Sequence, residues 1–355
     1  MLSLRDAILP DRHWIDFVLQ HVDPTRSVTR TLARLEAIRV ETPDMKTFVL
    51  RPVSGPVAFV AGQSVALRVL VGGVCHERCY SPSSAAGAAT LAITVKRYAE
   101  GVVSRWLHDR AALGDVLELG AAAGDFVLPS PLPARLLLIA GGSGITAVRA
   151  LLLAALRVRP RVDAVVLYYA RRATDFAFAD ELRALARRRP RLRIHFLAQQ
   201  PGGGRAGAGR FSAAQLDARA PDYAQRRAFV CGPPALVQAV TRHWAAIGLS
   251  DRLRAEAFAP PPADGDAGVD RASLPVHFRR SARTVAGAQP TLLAIAEAAG
   301  LRPPSGCRMG ICHTCTCTKV SGSVRDRVTG AIDARPGSRI RLCVSEPLGP
   351  VTLDL

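Results

Sequence analysis

Pro304-Ser305-Gly306-Cys307-Arg308-Met309-Gly310-Ile311-Cys312-His313-Thr314-Cys315, followed after 27 residues by Cys343, is the stretch that decides how this 355-residue chain is read. The thiols run C-x4-C-x2-C with a distant fourth, a spacing that holds a [2Fe–2S] cluster. Small residues between them let the backbone turn its N–H groups toward sulfur, which stabilises an added electron. Four thiolates also suit zinc, but zinc sites usually pair two short C-x2-C turns and fit this spacing poorly. Cys307, Cys312, Cys315 and Cys343 are therefore the expected ligands. Cys317, two residues on, would point to the other side of an emerging strand and reads as a small core residue.

The rest of the chain is compatible with that chemistry. The N-terminus lacks the apolar run of a signal peptide, and no apolar stretch reaches the ~18 residues of a membrane span. A soluble cytoplasmic chain is expected, in which clustered thiols bind metal rather than form disulfides. The 47 basic residues outnumber 29 acidic ones, and all but Lys46, Lys96 and Lys319 are arginines. Such a balance suits an anionic partner, yet no nucleic-acid motif or aromatic-studded basic helix accompanies it. No nucleic-acid partner is expected. The eight histidines show no metal-binding or catalytic pairing; His313 lies in the cluster loop and is placed to tune it.

Upstream, Arg135–Ala140 is a short apolar run, Gly141-Gly142-Ser143-Gly144-Ile145-Thr146 a glycine turn, and Ala147–Leu156 a helical stretch. Strand, glycine turn and helix form the setting for a phosphate at a helix N-terminus. Val162–Tyr169, Leu192–Ala198 and Ala228–Cys231 read as further strands, with a helix over Asp175–Arg188. The alternation predicts an open parallel sheet with its ligand at the strand C-termini. Before it, short strands over Leu32–Glu41, Met45–Leu50, Ser64–Val71, Thr90–Val95 and Val116–Leu119 predict an antiparallel β-barrel.

Four motifs stand in order: Arg78-Cys79-Tyr80-Ser81, Gly101-Val102-Val103-Ser104, the Gly141–Thr146 turn, and Cys231-Gly232-Pro233-Pro234. In this order the chain resembles ferredoxin–NADP reductase-like flavoproteins over roughly residues 30–355. Residues from about Leu274 onward resemble a plant-type ferredoxin, whose β-grasp fold implies a hairpin of Val276–Arg280 and Arg283–Val285 and a helix over Thr291–Ala299. The resemblance implies a multidomain chain: an N-terminal extension (1–28), an FAD-binding barrel (29–131), an NAD(P)-binding α/β domain (132–257), a linker (258–270) and a [2Fe–2S] domain (271–355).

The same resemblance implies residue roles. Arg78 meets a flavin phosphate, Cys79 and Tyr80 border the flavin, and Ser81 hydrogen-bonds near N5, the hydride-accepting atom. Gly101, Val102, Val103 and Ser104 hold the pyrophosphate through backbone N–H groups and the Ser104 hydroxyl, which favours FAD over FMN. Gly141, Gly142, Ser143, Gly144 and Thr146 accept the nicotinamide cofactor's pyrophosphate, and Cys231, Gly232 and Pro233 lie beside its ring. Ser81 and Cys231 are the catalytic candidates. Ala147 stands where relatives often carry proline, which would only pre-set the first helical turn. Arg171 and Arg172 follow a strand end with no acidic residue to hold a ribose hydroxyl, so NADPH is expected before NADH.

The expected activity is an NAD(P)H:acceptor oxidoreductase that splits a hydride into single electrons. The acceptor expected first is a fatty-acyl desaturase or hydroxylase, with a Rieske-type or di-iron oxygenase for aromatic or steroid substrates as the alternative. A redox-sensing iron–sulfur flavoprotein is the reading from another class. The Asp11-capped helix carrying Trp14, Phe17, Val18, His21 and Val22 on one face either packs on the body or docks to a membrane surface or membrane-bound partner. Pro201–Gly209 reads as a surface loop, and Ala259–Gly268 as a Pro/Gly/Asp tether. From Arg271 to Leu355, 12 basic residues face 5 acidic ones, so the acceptor is expected to present an acidic docking face.

Overall fold

A computed structural model describes residues 12–23, 26–199, 210–258, 274–287 and 289–355. Asp11, the Pro201–Gly209 loop and the Ala259–Gly268 tether lie outside the described residues. The first element is helix α1 (Arg12–Val22). Its anchored side is polar: the buried Asp16 carboxylate accepts from Ser27 Oγ at 2.8 Å and from the Thr29 hydroxyl. Trp14, Phe17, Val18 and Val22 are exposed, so packing of that apolar face on the body is not what the structure has. A buried carboxylate with three donors in the next turn of chain fixes the helix by its opposite side.

The barrel strands are β1 (Thr31–Thr42), β2 (Met45–Pro52), β3 (Ser64–Val71), β4 (Val74–Tyr80) and β5 (Leu91–Lys96). Helix α2 (Val102–Asp109) and β6 (Val116–Ala123) complete the unit. Their order is β4-β3-β6-β1-β2-β5, every pairing antiparallel. An antiparallel bridge between Pro82 and Ile93 brings the two edges together. Alternate residues of each strand, such as Val65, Leu67 and Val69, fill the interior with Leu35, Phe48, Leu50 and Ile93. Strand β4 is absent from the sequence expectations because Val74-Cys75-His76-Glu77-Arg78-Cys79-Tyr80 is too polar to show an apolar period.

Next come β7 (Arg135–Gly141), α3 (Ile145–Val158), β8 (Asp163–Ala170), α4 (Ala179–Arg187), β9 (Leu192–Ala198) and α5 (Ala213–Arg219). They are followed by β10 (Arg227–Gly232), α6 (Pro234–Ala246) and β11 (Leu253–Ala257). The sheet is parallel, in the order β11-β10-β7-β8-β9. Both faces are covered, which is why β7 reads as an unbroken apolar run. Leu136, Leu138 and Ala140 pack under α3, while Leu137 and Ile139 face the α6 side. Helix α4 starts later than the sequence suggests, because residues 173–175 form a tight 3-10 turn and Phe178 takes a left-handed φ of 59°.

The last module contains β12 (Pro275–Phe278), β13 (Arg283–Ala286), α7 (Leu292–Ala298), β14 (Thr316–Ser321), β15 (Val324–Asp326) and β16 (Ile332–Asp333). It ends with β17 (Ser338–Arg341), β18 (Ser345–Pro347) and β19 (Val351–Leu353). A five-stranded sheet β13-β12-β19-β14-β17 joins the parallel β12–β19 pair to antiparallel neighbours, and β16-β15-β18 form a small second sheet. Thr291 caps α7 by accepting from Ala294 N at 3.2 Å. Cys317 sits in the core of this module, as its alternation on β14 implies. One apolar cluster continues from Val237, Val240 and Trp244 of the α6 side into Val276, Phe278 and Leu293, so the module is seated on the parallel-sheet unit. Among the described residues, no helix is long and apolar enough to cross a membrane.

Candidate flavin, nucleotide and cluster sites

The cluster loop is built by three residues with left-handed backbone, Arg308 (φ 55°), Gly310 (φ 75°) and His313 (φ 59°). They turn the chain inward around sulfur. Cys307 N donates to Cys312 Sγ at 3.3 Å, Cys312 N to Cys307 Sγ at 3.3 Å, and Met309 N to Cys307 Sγ at 3.4 Å. The Thr314 hydroxyl adds a bond to Cys312 Sγ at 3.1 Å. Arg341 clamps the loop from below, donating to Gly310 O at 2.6 Å while paired with Asp326 at 2.8 Å.

The four thiols fall into two pairs. Cys312 is held well below the ordinary thiol range by the Cys307 and Cys79 thiols, and Cys307 is raised in return. Cys315 is lowered to about 7 by the Cys343 thiol, and Cys343 is raised. Among the described residues no three Cys, His, Asp or Glu side chains converge as one metal ion needs. Thiols in the C-x4-C-x2-C order, with backbone N–H groups aimed at the Cys307 and Cys312 sulfurs, fit a binuclear [2Fe–2S] cluster.

Strand β4 supplies the flavin motif. Arg78 is exposed, its guanidinium donating to Glu77 O at 2.7 Å, and Tyr80 packs on the barrel core. Ser81 Oγ is buried and has no partner among the described residues. An orphaned hydroxyl of this kind fits a ligand acceptor. Cys79 turns the other way. It is buried with Ala66, Cys307 and Ile311, and its thiol is held far above its ordinary value by the Cys307 and Cys312 thiols and then by burial. Cys79, expected beside the flavin, has its side chain against the cluster loop and opposite to Tyr80, because adjacent residues of a strand alternate.

At the second motif, a Cβ on Gly101 would stand 2.3 Å from Ser104 Oγ, so a side chain there would displace that hydroxyl. That hydroxyl donates to Gly101 O at 3.3 Å and accepts from Tyr98 N at 3.2 Å. The Ser104 side chain expected to reach a pyrophosphate is thus engaged within its own turn. Val103 lies in the barrel core. The donors left at this helix start are backbone N–H groups, with Val102 exposed above them.

The glycine turn and the end of β10 interlock. A Cβ at Gly144 would lie 2.1 Å from Cys231 O, and one at Gly232 only 3.0 Å from Gly141. Gly142 needs its φ of 51°. Thr146 Oγ1 donates to Ser143 O at 3.0 Å, closing the turn into α3. Pro233 precedes α6, whose first residue is Pro234. Cys231 is wholly buried, its thiol raised by that burial and by Glu256. It therefore forms part of the wall behind the glycine turn, its carbonyl against Gly144. Arg171 and Arg172 stand exposed just past β8.

Two residues escaped the sequence expectations because β11 did. Glu256 pairs in register with Cys231, and its Oε1 is buried with no partner among the described residues. Burial, reinforced by Asp125, pushes its carboxyl up to about 8 against the opposing Arg341. Phe258, just past β11, packs both on the core that contains Cys231 and on Cys79, Cys307 and Ile311. The available signal was position: a residue ending a parallel strand lies at the ligand edge of the sheet.

Barrel, parallel sheet and cysteine loop define a three-domain flavin, nicotinamide and iron–sulfur reductase. Family models match in the same order: an oxidoreductase FAD-binding domain over residues 32–128, an oxidoreductase NAD-binding domain over 138–242, and a 2Fe-2S iron-sulfur cluster binding domain over 276–348. The chain belongs to the ferredoxin–NADP reductase-like flavoproteins that carry a C-terminal [2Fe–2S] domain, and it is an NAD(P)H:acceptor oxidoreductase. It is 34% identical to an NADPH oxidoreductase of Mycobacterium tuberculosis over 98% of this chain and 89% of that protein. It is 30% identical to the glycine betaine monooxygenase reductase subunit of Chromohalobacter salexigens, over 88% and 92% respectively. A solved phthalate dioxygenase reductase shares the fold, with a TM-score of 0.58 and 24% identity over 92% of this chain and 98% of that one.

Proposed function

We propose that this protein is the reductase component of a terminal oxygenase, drawing on NADPH. The observation that carries the reading is the position of β4. Its Cys79 side chain stands against the cluster cysteines, and the orphaned Ser81 hydroxyl follows directly after its last residue, Tyr80. When bound, FAD takes a hydride and releases electrons singly, and a [2Fe–2S] centre accepts one at a time. The chain's own contribution is placement. Ser81 offers its O–H to the flavin, Arg78 its guanidinium fork to a flavin phosphate, and the start of α2 its backbone N–H groups to the pyrophosphate. The Gly141–Thr146 turn receives the nicotinamide cofactor, Phe258 excludes water between the two sites, and Arg171 with Arg172 pairs a 2′-phosphate.

The glycine betaine monooxygenase reductase supports an oxygenase as acceptor, in line with the alternative reading of the sequence. The comparisons lend no support to a fatty-acyl desaturase or to a membrane-bound partner. The NADPH oxidoreductase relative supports the nucleotide. The excess of basic residues after Arg271 supports an acidic docking face on the oxygenase, with transfer slowing as salt rises. The test is reconstitution of the holoprotein with candidate oxygenases and desaturases, comparing NADPH with NADH. Turnover with an oxygenase, faster with NADPH and slowed by salt, is expected; turnover only with a desaturase would overturn the assignment.

A further inference from the structure

Strand β4 is a wall with two different faces. Val65 and Leu67 of β3 point into the barrel with Tyr80, whereas Ala66, paired in register with Cys79, points out with it. On that outer face Cys79 is buried against Cys307 and Ile311, with Met309, Cys312 and Phe258 closing around it. Glu77, two residues earlier on the same face, lies along the same loop: a Cβ on Gly306 would come within 3.2 Å of Glu77 Oε1 and 3.0 Å of Cys312 Sγ. Gly124, beyond β6, faces Ile311 O from the adjoining side. A fifth thiol therefore stands against one ligand pair of the cluster loop, covalently next to Tyr80 and on the opposite face of the strand from it.

We propose that Cys79 is a positioning residue for the flavin-to-cluster step, its S–H donating a hydrogen bond to the ligand sulfur of Cys307 or Cys312. The proposal rests on the reductase reading above. In the step, one electron leaves the reduced flavin and converts one ferric ion of the cluster to ferrous. No bond at Cys79 is made or broken, and its proton stays on sulfur. A donor aimed at a ligand sulfur stabilises the reduced cluster and raises its potential.

The test compares wild type, Cys79→Ala and Cys79→Ser as holoproteins with FAD and cluster, using potentiometric titration followed by EPR. In Cys79→Ala the cluster is retained, its reduced-to-oxidised ratio at fixed potential falls about tenfold, which is ~59 mV for one electron, and its EPR g-values shift. Cys79→Ser, which keeps a donor, recovers most of that change, while the flavin potential stays put in both. An unchanged cluster potential in Cys79→Ala, a serine variant no better than alanine, or loss of the cluster from both variants overturns the proposal. Failure of NADPH to bleach the flavin and reduce the cluster in wild type would instead sink the reductase reading, so the two failures are separable.

Discussion

The two ends of the parallel sheet handle buried charge in opposite ways. At the N-terminal end Arg226, fully buried, spends every nitrogen. Nε and Nη2 donate to Asp222 at 2.8 Å, and Nη1 to Asp163 Oδ1 at 2.9 Å and to Leu136 O at 3.2 Å. At the C-terminal end Glu256 is also buried, yet among the described residues its Oε1 has no partner. A saturated network stabilises the fold. A buried carboxylate oxygen left unsatisfied costs stability, and one at the ligand edge of a parallel sheet is kept where a ligand meets it.

The largest expected effect falls at the saturated end. Arg226→Met leaves two aspartates without their cation and lowers the unfolding free energy by about 3–5 kcal/mol in urea titrations, with cofactor affinities unchanged. A variant as stable as wild type would erase the contrast. Glu256→Gln is expected to do the opposite. With its pKa raised from 4.5 to about 8, the Glu256 carboxyl favours folding below pH 4.5, and that contribution is lost as pH climbs toward 8. The glutamine variant should flatten the profile and gain up to about 5 kcal/mol at pH 8.5. Thermal unfolding between pH 5 and 9 reads this directly, and a parallel pair of curves would count against it.

Smaller effects are expected to touch ligands and leave the fold alone. Replacing Arg171 and Arg172 by alanine should raise the KM for NADPH about tenfold or more without moving that for NADH, since each charged bond to phosphate is worth about 1.5–3 kcal/mol. Equal losses with both nucleotides would point to a general role. Ser81→Ala removes a hydroxyl that the protein itself does not use. Its unfolding curve without flavin should match wild type, while flavin reduction by NADPH slows about five- to tenfold, or ~1 kcal/mol. A destabilised flavin-free variant would mean that Ser81 has a structural partner after all.

Much of the architecture was legible in local patterns. The apolar run Arg135–Ala140 with its glycine turn became β7 and α3, and Leu192–Ala198 became β9 with the same ends. The short strands β15 to β19 carried no expectation, and two longer strands beside the sites, β4 and β11, were not legible either. β4 is a polar edge strand, and β11, Leu253-Arg254-Ala255-Glu256-Ala257, has too few apolar residues to signal itself; each exists because its neighbour offers unpaired backbone. With β11 went Glu256 and Phe258. The outward apolar face of α1 also lay beyond local pattern, since amphipathicity fixes a face but not which side is anchored; Asp16 and its three donors decided that.

By itself the sequence determined the chemistry: four cysteines at cluster spacing, motifs in flavin-then-nucleotide order, and two arginines after a strand. These are short-range facts, because ligand spacing and turn glycines are constraints on neighbours along the chain. Only the tertiary structure decided which atoms are free to work. It turned Cys79 onto the cluster loop, closed the Ser104 hydroxyl into its own turn, sealed Cys231 in a wall and left Ser81 without a partner among the described residues. The direction of a side chain and the supply of hydrogen-bond partners depend on what packs against a strand from elsewhere in the chain, and no local pattern contains that information.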